Sequence, residues 1–136
     1  MYQLLMYNME SPDKSRKIKA IATRMKLRFR VVEPEEFSLP LGRLAEIPGG
    51  EAMPEGDGTP FGEEMLVLCN VPGAAFQNFL AQLRAQKVPV TLKAALTEYN
   101  ISWSSTKLYR EIAAEHQAML EGKWNIHRQD SSGNKE

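Results

Sequence analysis

The sequence predicts an α/β fold: a small open four-stranded parallel sheet, order 2-1-3-4, built from two βαβ-like halves with helices on both faces. Three observations carry this reading. First, "LLMYNM" (4–9) and "LVLCNV" (66–71) are apolar almost throughout, as strands covered on both faces are. Second, each run is followed by a helical pattern and then by a strand-length run that carries charge, "LRFRVV" (27–32) and "VTLKAAL" (90–96). Third, right-handed crossovers place the two apolar runs at the centre and the two charged runs at the edges, where charge discourages further pairing. The alternative is a ferredoxin-like α+β sheet with helices on one face only. It would leave one face of the apolar runs bare.

In order along the chain, "YQLLMYNM" (2–9) has strand length. "SPDK" (11–14) then starts a helix, with Ser11 as N-cap, Pro12 in the first turn and Asp13 at the positive end of the dipole. Ile18, Ile21, Ala22 and Met25 recur at helical spacing and leave the lysines and arginines outward. "LRFRVV" alternates apolar and basic residues, as an edge strand with one wet face does. "LGRLAEI" (41–47) has the length of a short helix, and the Gly- and Pro-rich stretch 48–63 predicts a long mobile loop. "EMLVLCNV" is the third strand. Phe76, Phe79, Leu80 and Leu83 line the inner face of the helix that follows. After the fourth strand a last helix runs from about Ser104 to Leu120, with Leu108, Ile112, His116 and Met119 on one stripe. Residues 1–120 thus form one domain, and 121–136 form a polar tail.

The chain has 136 residues, the usual size of one domain, with 43% hydrophobic and 25% charged residues. No apolar run has the length of a membrane span, and "MYQLLMYNME" lacks the basic start and cleavage pattern of a secretory leader. A single cysteine excludes an intrachain disulfide and a thiolate zinc cage, and fits a reducing cytoplasm. Net charge is zero but unevenly spread. Eight basic residues and one acid lie between Ser11 and Arg30; nine acids and one base lie between Glu33 and Glu64. The plain reading is mutual neutralisation across the surface. The sharper one is an anion-binding face, with Lys14, Lys17 and Arg28 as contacts, shielded by the acidic loop.

In an open parallel sheet, ligands bind beyond the carboxyl ends of the strands. That rule brings Asn8, Asn70, Thr97 and Asn100 to one rim, with Trp103 just beyond. These are the candidate ligand-binding residues. Their competing roles are structural: helix caps and loop braces for the asparagines and the threonine, a hydrophobic staple for Trp103. Cys69 lies in an apolar strand, which raises a thiol pKa and points to packing. His116 and His127 have no second ligand nearby and read as structural or solvent-exposed, so no metal site is expected. Phosphate-loop, dinucleotide, zincin, nucleophile-elbow and CxxC motifs are all absent.

Two resemblances follow from longer stretches. "MLVLCNVPGAAFQNFLAQLRAQKVPVTLKAALT" (65–97) is similar to the middle of a response-regulator receiver domain, with Thr97 at the place of its threonine. The acidic pair, the phosphorylated aspartate and the lysine-bearing fifth strand of that family have no counterpart here, so the likeness implies topology alone. The runs "EEMLVLCNV", "FLAQLR", "VTLKAALTEYNISW" and "LYREIAAEH", between Glu63 and His116, resemble a bacterial family known as domain of unknown function 3783. That resemblance implies a domain and no activity. The expectation is a non-catalytic binding or regulatory module, without a cofactor, taking a small molecule or a protein partner at the rim. Nucleic-acid or phosphate binding through residues 14–30 is the alternative, and a small enzyme using Thr97 and Asn100 comes third. No membrane partner is expected.

Overall fold

The computed structural model describes residues 2–47 and 53–121. His127, nearly all of the polar tail and residues 48–52 of the expected loop lie outside the described residues. The elements are β1 (Gln3–Tyr7), α1 (Pro12–Arg24), β2 (Arg28–Val32), a 3-10 turn (Pro34–Glu36), α2 (Leu41–Leu44), β3 (Met65–Cys69), α3 (Gly73–Ala85), β4 (Leu92–Ala95) and α4 (Ser105–Leu120). The four strands form one sheet in the order β2-β1-β3-β4. The α/β class and the strand order are therefore those the sequence predicts.

The purely parallel sheet is not. β1 pairs with β2 and β3 with β4 in parallel, but the central pair β1/β3 is antiparallel, with Gln3 opposite Cys69 and Tyr7 opposite Met65. The physical reason lies in the connection. A helical crossover forces each βαβ unit to be parallel within itself. Among the described residues nothing comparable joins β2 to β3: they hold a 3-10 turn and the four-residue α2, neither long enough to carry the chain back along the sheet. The chain consequently starts β3 at the end of the sheet where it left β2.

Both faces of the sheet are covered, as the apolar strands require. Leu4, Met6, Leu66 and Leu68 face α1 and α3, whose Ile18, Ile21, Ala22, Phe79 and Leu83 are buried against them. Leu5, Tyr7, Met65, Val67 and Cys69 form the opposite face with Phe37, Leu41, Leu44 and Leu108. Each fully buried side chain of this size contributes about 1.5–3 kcal/mol. Helices on both sides set the molecule apart from the one-sided ferredoxin-like alternative.

The two halves share local detail. α1 starts as expected, with the Ser11 hydroxyl accepting from the Lys14 amide at 3.2 Å and Pro12 in the first turn. Both α1 and α3 end on a lysine in the left-handed region, Lys26 (φ 62°) and Lys87 (φ 58°). The next amide in each case returns to the helix: Leu27 to the Ala22 carbonyl at 2.8 Å, Val88 to that of Leu83 at 2.9 Å. These bonds satisfy end carbonyls and offset the cost of a side chain at positive φ. The edge strand β2 departs from expectation in one respect. Its apolar row is not the covered one, since Phe29 and Val31 are exposed, with the Lys19 ammonium 5.5 Å from the Phe29 ring centre.

The antiparallel centre has a direct chemical test. Gln3 and Cys69 are paired and lie on the same face, at the separation of about 4.5–5.5 Å that antiparallel neighbours have and disulfides span. Gln3→Cys is expected to cross-link to Cys69 on oxidation, read as loss of both free thiols in the intact monomer. A parallel centre would leave both thiols free. Phe79→Ala is expected to cost about 3–5 kcal/mol in denaturant titration.

Candidate functional site

The antiparallel centre decides where the candidate residues fall. Asn8 follows β1 at the end of the sheet where β3 and β4 begin; Asn70 and Thr97 lie at the other end. The shared rim expected from a parallel sheet does not form. Asn8 and Asn70 do keep equivalent places, each in the left-handed region after its strand (φ 60° and 63°). The Asn8 carboxamide donates to the carbonyls of Phe61 and Glu63, both at 2.9 Å, and so fixes the chain as it approaches β3. Asn70 is exposed.

Thr97 and Asn100 do come together, but as a self-contained turn. The Asn100 side chain accepts from the Thr97 amide at 2.8 Å and donates to the Ala95 carbonyl at 3.1 Å. The Thr97 hydroxyl accepts from the amides of Tyr99 and Asn100. This is the brace that the sequence leaves open beside a ligand role. Trp103 stands before the N-cap Ser104, packed against the cluster that contains Leu108, with the Lys107 ammonium 4.5 Å from its ring centre.

The Gly- and Pro-rich segment has no helix or strand over its described part, 53–63, yet it is strapped to α4. Glu55 bridges Trp103, the Ser104 amide donates to Glu55, and the Ser104 and Thr106 hydroxyls donate to the carbonyls of Asp57 and Thr59 at 2.6 and 2.8 Å. Arg110 grips the Asp57 carboxylate. Phe61 stacks on Tyr109 with ring centres 4.1 Å apart and on Phe37 at 4.6 Å. Gly56 (φ 109°) is needed here, because a Cβ would stand 2.6 Å from that of Lys107. A hydrogen bond from the Thr59 hydroxyl, then the Arg110 guanidinium, hold the Asp57 carboxyl down to about 2.

The basic residues named as anion contacts face carboxylates. Lys14 pairs with Glu64 at 2.7 Å, Lys17 with Asp13 at 3.3 Å and Arg28 with Glu46 at 3.8 Å; Arg30 adds a pair with Glu36 at 2.6 Å. The acidic segment thus reaches the basic one through Glu36, Glu46 and Glu64, the pattern of mutual neutralisation, while Asp57 turns to α4. Burial pushes the Cys69 thiol up to about 12, which leaves no thiolate at neutral pH. Among the described residues no cluster of His, Cys, Asp and Glu has the geometry of a metal site. No described helix is long and apolar enough to cross a membrane.

One open cleft of about 460 Å³ lies where β1 and β2 end and β3 and β4 begin. Its polar wall holds Lys14 from the first turn of α1, Glu63 and Glu64 before β3, Thr91 before β4, and His116 and Gln117 from α4. Pro89, Leu92 and Ala113 form its apolar wall. The Lys14–Glu64 pair is largely sequestered, with side chains 23% and 28% exposed, and the ammonium also donates to the Pro89 carbonyl at 2.9 Å. The neighbouring Glu63 carboxylate, then burial, raises the Tyr109 pKa. A second recess beside β4 continues from Thr91, Leu92 and His116 toward Ile112 and Met119. The sequence marks Lys14 as a contact and His116 as a stripe residue but does not join them. They are 102 positions apart, and only the reversed second half brings them together.

Residues 64–119, the span from β3 through nearly all of α4, match the model of a family described as a domain of unknown function (DUF3783). The resemblance expected between Glu63 and His116 is borne out over nearly the same residues. No curated protein and no solved structure matches the chain.

The strap carries a pH test. Asp57 is ionised in the folded chain down to about 2, against 3.8 for the free group, so its contribution is complete above about pH 4 and is lost as pH falls toward 2. Protection of the Glu55 and Ser104 amides, relative to intrinsic exchange at each pH, is expected to fall over that window before protection in β1 and β3 does. In Asp57→Asn that protection should be low already at neutral pH and insensitive to acid.

Proposed function

We propose that this chain, with its DUF3783 segment and the strand–helix–strand unit before it, is a non-catalytic binding module that holds a small polar molecule in the cleft beside α4. The observation that carries the reading is convergence. A sequestered ion pair, an imidazole, a hydroxyl and a carboxamide from four separate parts of the chain face one concavity with an apolar wall. A volume of about 460 Å³ lies within the range of small-molecule sites, and the polar lining suits a polar ligand.

The groups favour holding over turnover. The Lys14 ammonium is engaged by a carboxylate and a carbonyl, and the Glu63 carboxylate neighbours the Tyr109 phenol. The Cys69 thiol is in the core, away from any opening. The pairing of Lys17 with Asp13 and of Arg28 with Glu46 weakens the alternative of nucleic-acid binding, because phosphate contacts there would have to displace carboxylates already in place.

Fragment screening by amide NMR on the full chain tests the proposal. Hits are expected to shift Thr91, His116 and Gln117, and Ala113→Trp, which fills the cleft, should abolish those shifts while circular dichroism is unchanged. Shifts confined to other surfaces, or none, would remove the proposal. In a low-salt gel shift no retardation of DNA or RNA is expected; binding lost in a Lys14/Lys17/Arg28 charge reversal would restore the alternative.

A further inference from the structure

We infer that the cleft is built for a zwitterion of the α-amino-acid type, an inference that rests on the binding role proposed above. The Lys14–Glu64 pair presents a positive and a negative group side by side on the cleft wall, 2.7 Å apart. A fixed dipole of this kind is complemented best by a ligand that carries the opposite pair of charges at similar spacing, a carboxylate for Lys14 and an ammonium for Glu64. A singly charged ligand meets one attraction and one repulsion there. Glu63 adds a second carboxylate to the same wall. The site therefore carries one more negative than positive group, so an ammonium is the charge it discriminates for most strongly and a lone carboxylate the one it excludes. Inorganic phosphate is a poor fit for the same reason.

The rest of the wall suits a side chain. Pro89, Leu92 and Ala113 accept an apolar stem, while Thr91, His116 and Gln117 supply donors and acceptors for a polar end. The recess toward Ile112 and Met119 gives length. Both charged partners are held in place: Glu64 by its position at the start of β3, with Asn8 anchoring the preceding carbonyl, and Lys14 by its bond to the Pro89 carbonyl. Such fixed groups bind a matching ligand at a smaller entropic cost than free side chains would.

The experiment titrates the full chain with the proteinogenic L-amino acids and, for those that shift Thr91 and His116, with their methyl esters and N-acetyl derivatives. Binding is expected for a subset of the amino acids, weakened about tenfold in the ester and undetectable in the N-acetyl form, since each modification removes one charge-assisted contact. Lys14→Met should erase the difference between amino acid and ester; Glu64→Gln should weaken both. Esters or N-acetyl derivatives that bind as tightly as the parent would overturn the inference, and no variant is needed for that comparison. If uncharged fragments shift the cleft and no amino acid does, the inference fails while the binding role stands. If neither does, the binding role fails with it.

Discussion

The antiparallel pairing of β1 with β3 is the constraint from which the rest of the molecule follows. Each half is a parallel strand–helix–strand unit with a fixed hand. Joined antiparallel, the two units are related by an approximate half-turn about an axis through the sheet. That operation puts α1 and α3 on the same face, where they pack together against Leu4, Met6, Leu66 and Leu68. It leaves the opposite face to α2, α4 and the connecting segment. It also brings the finish of β1 against the start of β3, so that Asn8 meets Glu63 and Lys14 meets Glu64. The cleft is a product of this joint.

The connecting segment then completes α4. Ser104, Ser105 and Thr106 are buried at its N-terminus, and a buried hydroxyl without a partner is costly. Asp57 and Thr59 carbonyls accept from Ser104 and Thr106, and Ser105 shares a 2.7 Å bond with the Tyr7 phenol in the core. A segment whose composition forbids regular structure is thus ordered by the groups of a helix start. The four aromatic rings of Tyr7, Phe37, Phe61 and Tyr109 extend that contact from the core to the surface.

Much of the fold was legible in the residues because it rests on local chemistry. The apolar runs at 4–7 and 65–69, the Ser11 cap and the charge on the outer strands each report their own surroundings. Strand direction does not. Parallel and antiparallel central strands bury the same side chains on both faces, so the pattern of "LLMY" and "MLVL" is silent on which way β3 runs. The deciding feature was an omission, the lack among the described residues between β2 and β3 of a helix long enough to span the sheet. The candidate site shared that fate. Asn8 and Asn70 each follow an apolar run, and in the backbone they are equivalent, with nearly the same positive φ. Equivalence under a half-turn places them far apart instead of side by side. The strap was hidden for a different reason: part of its hold on α4 rests on carbonyl groups, which every residue has and no sequence advertises, and the rest on pairs such as Asp57 with Arg110 that lie far apart in the chain.

The boundary of the family match has a consequence of its own. β3 is wholly buried, and one of its two hydrogen-bonded neighbours, β1, lies outside residues 64–119. Stripped of β1, that stretch would display a bare ladder of amides and carbonyls along its most apolar strand, the kind of template on which chains aggregate. In this molecule the opening residues therefore cover the later ones along that margin. The closure of its most apolar strand, and not only the architecture of the cleft, is something the second half owes to the first.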